Sequence, residues 1–167
     1  GQVLQAIRFT PSNGYLDLPV GAHPPEGQDQ YSLAFWSKWG STAGARQTTV
    51  LESGDGLSSN PRVLNIHFPW SNGYVYWDSY KAGSSNRIQK KPTVAEHQKE
   101  QWHHWVFDKD RVKGEMRVHL DGQLWAKATG KTLEIKQATI FRLGANRSGG
   151  NKWDGDIDEF RIYDRIL

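Results

Sequence analysis

Short segments of alternating apolar and polar residues follow one another along the chain, separated by groups of Gly, Asn, Ser and Pro. Alternation with a period of two is typical of a β-strand with one buried face, and the intervening residues are typical of turns. The predicted strands are Gln5–Phe9, Tyr15–Leu18, Tyr31–Trp39, Thr48–Ser53, Arg62–Trp70, Tyr74–Tyr80, Trp102–Asp108, Glu115–Leu120, Gln123–Ala128, Thr139–Gly144 and Ile157–Asp164. Only Thr93–Gln101 could hold a helical turn, so the sequence predicts an all-β sandwich or barrel.

Length and composition restrict the class of protein further. The 167 residues show no internal repeat or linker and predict a single domain over residues 1–167. The absence of Cys excludes disulfides and thiolate chemistry. No apolar run is long enough to span a membrane and no signal peptide is visible, so the start at Gly1 and Gln2 indicates a mature or excised segment. The scattered net charge of +3 argues against nucleic acid as a partner, whereas an acidic polysaccharide would not be repelled.

Eight Trp residues are an unusual number for a chain of this length. A single Trp most often supports the core, because it buries a large area on folding. Eight leave a surplus, and we expect some of these rings to offer a flat stacking surface to a ligand.

The dipeptide Asn72-Gly73 is a strong hairpin signal, because both positions tolerate the positive φ of a two-residue type I′ turn. A turn centred there pairs Phe68 with Trp77, Ile66 with Ser79, Trp70 with Val75, His67 with Asp78, Asn65 with Tyr80 and Pro69 with Tyr76. Opposed residues share a face of the sheet. The apolar face, directed at the second sheet, is therefore Leu64, Ile66, Phe68, Val75 and Trp77.

The opposite face of this hairpin presents Asn65, His67, Tyr76, Asp78 and Tyr80. Rings interleaved with amide, imidazole and carboxylate groups suit a sugar, which has apolar C–H patches to stack and hydroxyls to hydrogen-bond. The alternative is an ordinary solvated strand face with stabilising cross-strand Tyr pairs. The complete predicted set of carbohydrate-binding residues adds Trp70 of the same hairpin and three residues of loop regions, Trp39, Arg147 and Trp153.

Two further segments favour structural roles. His103 and His104 are adjacent on a predicted strand and point to opposite faces, so they cannot ligate one metal together. Asp121-Gly122 is a second hairpin turn signal.

The loop Arg147–Trp153 could form the rim of a site for an anionic or neutral glycan. The alternative is that this Gly-rich loop only connects two strands.

The last fifteen residues read as a polar turn that leads into an alternating strand. Phe160 and Ile162 fall on one face, and Ile157, Glu159, Arg161 and Tyr163 fall on the other. The acids Asp156, Asp158 and Glu159 could pair with an Arg, bind a cation or catalyse. An ion pair or hydrogen bond, for example with Arg161, is the preferred interpretation.

Calcium is the second interpretation of these acids, and catalysis is the third. A Ca²⁺ site needs hard oxygen ligands, which Asp158, Asp156 and carbonyls of residues 10–14 could supply. Two carboxylates at i and i+2 on one strand face could act as nucleophile and acid in a glycosidase. Along the face of Asp156 and Asp158, however, Phe160 and Ile162 follow where a third acid would stand.

Gly155–Leu167 closely resembles the closing signature of laminin-G-like, concanavalin A-like jelly-roll domains. Earlier segments resemble the same family in the same order: Ala6–Phe9 then Tyr15–Leu18, Tyr31–Trp36, Gln101–Phe107 and Val118–Leu124. The resemblance covers the chain from near residue 4 to its end. It implies an antiparallel two-sheet jelly-roll sandwich in which one sheet is curved and concave.

The resemblance also implies a function. Members are carbohydrate-binding modules, lectin-like adhesin domains or protein-recognition modules of larger secreted proteins, and many carry calcium at the sandwich edge. Where members often have Asp-Gly after the first strand, Phe9 is followed here by Thr10-Pro11, which leaves Asp158 as the best candidate calcium ligand. The three-acid strand motif of the laminarinase-type glycosidases of this fold is absent.

Together these observations predict a non-catalytic, secreted or cell-surface module that binds a polysaccharide or glycan and is tethered to other domains of a larger polysaccharide-degrading or surface protein. Structural Ca²⁺ bound by Asp158 and Asp156 is the expected cofactor. The main alternative is an adhesin or a protein- or peptide-recognition module without glycan specificity. A degenerate glycosidase and a structural spacer are the remaining alternatives.

Overall fold

The fold consists of twelve β-strands in a computed structural model that describes residues 5–12, 14–42, 46–56, 62–81, 86–93 and 100–167. The strands are β1 (Ile7–Phe9), β2 (Leu16–Asp17), β3 (Gln30–Trp39), β4 (Leu51–Gly54), β5 (Leu64–His67), β6 (Val75–Ser79), β7 (Arg87–Lys90), β8 (Trp102–Asp110), β9 (Glu115–Leu120), β10 (Gln123–Ala128), β11 (Ile140–Leu143) and β12 (Gly155–Tyr163). Val20–Ala22 form a short 3₁₀ turn. Most of the predicted helical turn at Thr93–Gln101 lies outside the described residues.

The strands form two six-stranded sheets. The first sheet has the order β1-β12-β3-β8-β9-β10, and the second sheet has the order β2-β11-β4-β5-β6-β7. All strand pairs within the sheets are antiparallel, which confirms the predicted two-sheet jelly-roll sandwich. Each of the eleven predicted strands overlaps an observed one. Strand β7 was not predicted, because Ile88 is its one apolar residue and alternation cannot be recognised from a single position.

Aromatic side chains fill the space between the two sheets. Trp39 of β3 stacks on Trp105 of β8 with ring centroids 6.4 Å apart, and Phe68 meets both indoles edge-on at 4.8 and 4.9 Å. Trp153 lies 6.1 Å from Phe68 and is fully buried. Such ring pairs contribute about 0.5–1.5 kcal/mol each beyond the burial of their area.

The burial of Trp39 and Trp153 corrects the sequence analysis. Both were predicted to stack on a sugar, but their exposures are 3% and 0%, so neither ring has a face that a ligand can reach. The physical reason is that both indoles fill the core between the sheets, where their large area is removed from water.

The register of β5 and β6 also differs from the prediction. Ile66 lies opposite Trp77 and His67 opposite Tyr76, which is a shift of two residues. The turn at the tip of the connecting loop has three residues rather than two, because Trp70 N–H donates to Tyr74 O at 2.8 Å and closes the turn around residues 71–73. Within this turn Gly73, at φ 83°, donates its N–H to Trp70 O. A shift of two residues leaves every side chain on its face. The predicted apolar face of Leu64, Ile66, Phe68, Val75 and Trp77 is accordingly buried as expected.

A β-bulge interrupts the closing strand β12. Asp158 lies opposite Trp36, but Arg161 lies opposite Ala34, so β12 carries one extra residue at this point, with Glu159 at φ 49°. The extra residue changes the phase of the alternation. Ile157 therefore faces the core together with Phe160, rather than the opposite side as the alternation predicted.

The predicted hairpin turn at Asp121-Gly122 is confirmed. Both residues have positive φ, 50° and 78°, and Leu120 pairs directly with Gln123. This is the two-residue type I′ geometry, which glycine adopts without steric cost.

Strand β8 places a lysine in the interior. Lys109 is 1% exposed, and its Nζ donates to Asn86 Oδ1 at 2.9 Å and to the main-chain oxygen of Lys131. Burial lowers the pKa of Lys109 from 10.5 to about 8, assisted by the charges of Lys131 and Arg111.

We expect the free energy of unfolding to rise as the pH increases from about 8 to about 10.5. In this window the unfolded chain still binds the Lys109 proton and the folded chain has released it, so the unfolded state binds more protons. The rise is at most about 3 kcal/mol, at about 1.4 kcal/mol per pKa unit. Urea unfolding of wild type and Lys109→Met isolates the effect, because other titrations cancel in their difference. Parallel pH profiles of the two proteins would contradict this interpretation.

Candidate functional site

A row of polar residues crosses all six strands of the second sheet on the side away from the core. Directly opposed residues along this polar row are Asp17 and Arg142, Arg142 and Glu52, Glu52 and Asn65, Asn65 and Asp78, and Asp78 and Arg87. The alternate residues Leu51, Ile66, Trp77 and Ile88 point into the core. The period of two therefore places the polar row on the outer face.

Bidentate ion pairs hold the two ends of the polar row. Arg142 binds the carboxylate of Asp17 through Nε at 2.6 Å and Nη2 at 3.1 Å. Arg87 binds Asp78 through Nε at 2.5 Å and Nη2 at 2.7 Å. Asn65 Nδ2 adds a third donor to Asp78 at 3.1 Å, so this fully buried carboxylate is compensated on both oxygens.

Glu52 occupies the middle of the polar row between two arginines. Its carboxylate lies 3.5 Å from Arg147 Nε and 3.9 Å from Arg62 Nη1. Burial raises the pKa of Glu52, although both guanidinium groups act in the opposite direction. Arg147 reaches this position because β4 has a glycine at residue 54, where a Cβ atom would lie 2.6 Å from Arg147 Nη1.

His67 lies beside the polar row and is nearly buried, with 4% exposure. Its Nδ1 is 3.2 Å from Thr48 O and 3.1 Å from Thr49 Oγ1, and its Nε2 accepts from Arg62 Nη1 at 3.0 Å. Burial, followed by the charge of Arg62, lowers the pKa of His67 to about 3. The imidazole is therefore neutral near pH 7 and orients the guanidinium of Arg62.

A pocket of about 230 Å³ opens between the polar row and the loop that connects β5 to β6. This hairpin pocket is lined by Arg62, His67, Trp70, Asn72, Tyr76 and Arg87. The Trp70 ring packs on His67 with centroids 4.0 Å apart. The guanidinium of Arg87 lies 4.7 Å from the centre of the Tyr76 ring, and Asn72 Nδ2 donates to Tyr76 OH at 2.6 Å. Trp70 and Tyr76 are partly exposed, so each ring presents surface to the pocket.

The predicted carbohydrate-binding residues separate into those that line the pocket and those that do not. His67, Trp70 and Tyr76 line it. Asn65 and Asp78 are fully buried beneath it, and Asp78 contacts two residues of the lining, Arg87 at 2.5 Å and Arg62 at 4.0 Å. Tyr80 lies beyond the end of β6 at φ 61°, with Lys81 over its ring, and is not part of the lining. Arg147 approaches Glu52 rather than forming a rim with Trp153.

Sequence reasoning missed Arg62 and Arg87 as components of this site. Arg87 belongs to the strand that alternation could not reveal. Arg62 has the same parity as Leu64 and Ile66, so a period of two would assign it to the apolar face. Arg62 lies just before β5, so it does not follow the alternation of that strand, and its long side chain reaches His67. Asn72 was recognised as a turn residue but not as a donor to Tyr76.

The acids of β12 make ion pairs on the first sheet. Asp156 lies 2.9 Å from Lys38 Nζ and 3.3 Å from Arg8 Nη1. Glu159 lies 3.4 Å from Arg161 Nη2. These contacts agree with the preferred interpretation of the closing acids.

The same contacts bear on calcium. Two cations already compensate Asp156, and Asp158 Oδ1 accepts the main-chain N–H of Glu159 at 2.8 Å. The described part of the chain contains no group of three or more His, Cys, Asp or Glu that could hold a metal ion. This donor set does not fit Ca²⁺, which binds six to eight oxygens and is repelled by adjacent cations. Calcium remains a prediction of the sequence.

The side chains of the two adjacent histidines of β8 contact different residues. His103 Nδ1 lies 2.7 Å from Asp121 Oδ2, and the His104 ring lies 5.1 Å from the ring of Trp36.

A second cavity, of about 680 Å³, is lined in part by Leu18, Pro24, Phe160, Ile162 and Tyr163. Among the described residues no helix is long and apolar enough to cross a membrane.

Several solved structures share this fold at low sequence identity. The CBM40 of the Ruminococcus gnavus IT-sialidase, bound to α2,3-sialyllactose, has a TM-score of 0.70 and 12% identity over 98% of this chain and 93% of that one. The SAP-like pentraxin of Limulus polyphemus has a TM-score of 0.61 and 17% identity over 86% and 67% of the two chains. The binding domain of botulinum neurotoxin DC in complex with rat synaptotagmin II has a TM-score of 0.61 and 18% identity over 84% and 33%. At these identities the likeness shows the fold alone.

The chain spans about a third of the length of the toxin binding domains that it matches. A comparison with curated protein sequences gives no significant match. A family model described as the concanavalin A-like lectin/glucanases superfamily, with a laminin-G-type profile, matches residues 10–167. The match covers nearly the whole sequence and agrees with the observed two-sheet architecture, so the chain belongs to the concanavalin A-like lectin/glucanases superfamily.

Proposed function

We propose that the protein is a non-catalytic binding module and that its ligand, a glycan, occupies the hairpin pocket. The observation that carries this proposal is the convergence of two partly exposed rings, Trp70 and Tyr76, with hydrogen-bond donors in one concave site. The pocket lies on a paired sheet and a short loop, so its groups are held in place before a ligand arrives.

The lining matches the chemistry of a pyranose. The rings of Trp70 and Tyr76 can pack on its C–H patches, and the N–H groups of Arg62 and Arg87 can donate to its hydroxyl oxygens. The volume of about 230 Å³ is below the range of roughly 300–1,000 Å³ that encloses drug-sized ligands. The pocket therefore holds about one sugar residue, and single-site binding is weak. Tethering to neighbouring modules would raise the avidity.

The lining also supports a binding role rather than hydrolysis. Glycosidases place two carboxyl groups on either side of the scissile bond. No Asp or Glu lines the hairpin pocket, and Asp78 beneath it is fully buried and held by Arg87.

Relatives of the same fold support the ligand class. The sialidase CBM40 is bound to sialyllactose, and a botulinum neurotoxin binding domain is in complex with SialylT. These structures are binding domains of larger proteins, in keeping with a secreted or cell-surface module attached to further domains.

A protein- or peptide-recognition module is the second candidate. The cavity of about 680 Å³ near Phe160 and Tyr163 favours it, because that cavity is large enough for a peptide side chain and its lining combines apolar residues with the charged Asp164 and Arg165. One toxin domain of this fold is in complex with synaptotagmin II. The two candidates use different surfaces and can be separated by mutation.

Replacing Trp70 or Tyr76 by Ala should weaken glycan binding by about fivefold to tenfold, because each substitution removes a stacking surface of roughly 1 kcal/mol. Glycan-array screening followed by affinity electrophoresis or calorimetry measures the change. Tyr163→Ala is the matched control, since it removes a tyrosine ring that lines the larger cavity. The melting temperatures of the three variants verify folding. Loss of binding in Tyr163→Ala alone would move the site to that cavity.

Calcium can be tested separately. We expect no difference in melting temperature between EDTA and millimolar CaCl₂, because Lys38 and Arg8 already compensate Asp156. An increase with CaCl₂ that disappears in Asp158→Asn would establish the calcium site that the sequence predicts.

A further inference from the structure

We infer that the hairpin pocket selects glycans bearing an anionic substituent, a carboxylate or a sulfate, and that Arg62 is the residue that binds this group. The inference rests on the proposed glycan-binding function. The inference specifies the class of sugar. The two aromatic rings alone do not determine this class, because neutral and acidic sugars both offer C–H patches that can stack on a ring.

The arginines near the polar row differ in how closely their charges are compensated. Each buried carboxylate near Arg62 has a nearer arginine: Asp78 lies 2.5 Å from Arg87 and Glu52 lies 3.5 Å from Arg147. Arg62 lies 4.0 Å from Asp78 and 3.9 Å from Glu52. Arg147 also approaches the more exposed Asp55 at 4.0 Å. The guanidinium of Arg62 is thus the cation of this cluster whose charge is compensated least closely.

The guanidinium of Arg62 is held in a defined orientation. The hydrogen bond of the Arg62 guanidinium goes to a neutral acceptor, Nε2 of His67, at 3.0 Å. The contacts of His67 Nδ1 with Thr48 O and Thr49 Oγ1 fix the imidazole on its other side. Because His67 is neutral, it holds the guanidinium in place without reducing its charge. A pre-oriented cation loses little conformational freedom when it binds an anion.

The Arg62 side chain is accessible from the pocket. The side chain of Arg62 is 24% exposed and lines the pocket together with Trp70. Arg87 also lines the pocket, but its Nε and Nη2 are occupied by Asp78. A guanidinium fork matches the paired oxygens of a carboxylate or a sulfate and binds them more strongly than a hydroxyl. The site therefore favours a sugar whose ring stacks on Trp70 while its acidic group meets Arg62.

The test compares matched neutral and acidic polymers. Polygalacturonate is paired with its methyl ester for the carboxylate, and dextran sulfate is paired with dextran for the sulfate. A glycan array with neutral, carboxylated and sulfated members extends the comparison. We expect binding only to acidic members, with an affinity that falls as NaCl increases, because salt screens the contact with Arg62. The two pairs show which of the two acidic groups is preferred.

Substitutions at position 62 test whether Arg62 binds the acidic group. Arg62→Gln should lower the affinity for the acidic glycan by about 10- to 100-fold, because it removes a charged hydrogen-bond donor. Arg62→Lys should retain part of it. Arg161→Gln is the matched control: it changes the net charge equally on an exposed side chain of the first sheet and should change the affinity less than about twofold. Melting temperatures report folding.

The outcomes separate the two levels of the proposal. Equal binding of neutral and acidic members, or an unchanged affinity in folded Arg62→Gln, would overturn the anionic specificity and leave glycan binding intact. If Arg62→Gln does not fold, the salt dependence and the matched polymers measured on wild type decide the question. Failure of every glycan to bind would overturn the proposed function itself.

Discussion

The packing of aromatic side chains between the two sheets is the constraint on which the rest of the molecule depends. Trp39, Trp105 and Phe68 meet across the interior, and their burial fixes which side of each strand faces inward. Because side chains alternate, a strand that buries Ile66 must present His67 on the other side. The outer face of the second sheet is therefore a consequence of the core.

That outer face has an unusual property: much of it is polar and yet buried. Asp78 and Asn65 are fully buried, and Glu52 is nearly so. Removing one partner of a buried ion pair typically costs about 3–5 kcal/mol, so these groups are tolerated only with their partners in place. Arg87, which binds Asp78, and Arg62, which lies 3.9 Å from Glu52, also line the hairpin pocket. The same arginines therefore contribute to the stability of the buried acids and to the lining of the candidate site.

The candidate site was predictable only in part. His67 and Tyr76 could be placed on one face of a hairpin because alternation depends on the local chain alone. Trp70 has the parity of Ile66 and Phe68, so alternation assigned it to the apolar face, and it was added only as an aromatic residue of the same hairpin. The register was wrong by two residues, and the loop was one residue longer than predicted, but an even shift does not move a side chain to the other face. The arginines were missed for a different reason. Arg87 belongs to a strand with a single apolar residue, which alternation cannot reveal. Arg62 precedes β5, so the alternation of that strand does not predict the direction of its long side chain, which reaches His67.

Sequence by itself determined the fold class, the strands with clear alternation, the type I′ turn at Asp121-Gly122 and the inward face of the central hairpin, because each depends on neighbouring residues. Tertiary structure decided which Trp residues are buried. Trp39 lies at the end of a strand and Trp153 lies in a loop, and alternation does not predict the burial of residues at such positions. It also decided the phase of β12, which the bulge at Glu159 resets. Above all, it brought together groups from β4, β6, β7 and the residues before β5. Their convergence depends on strand order, and no local pattern in the chain encodes strand order.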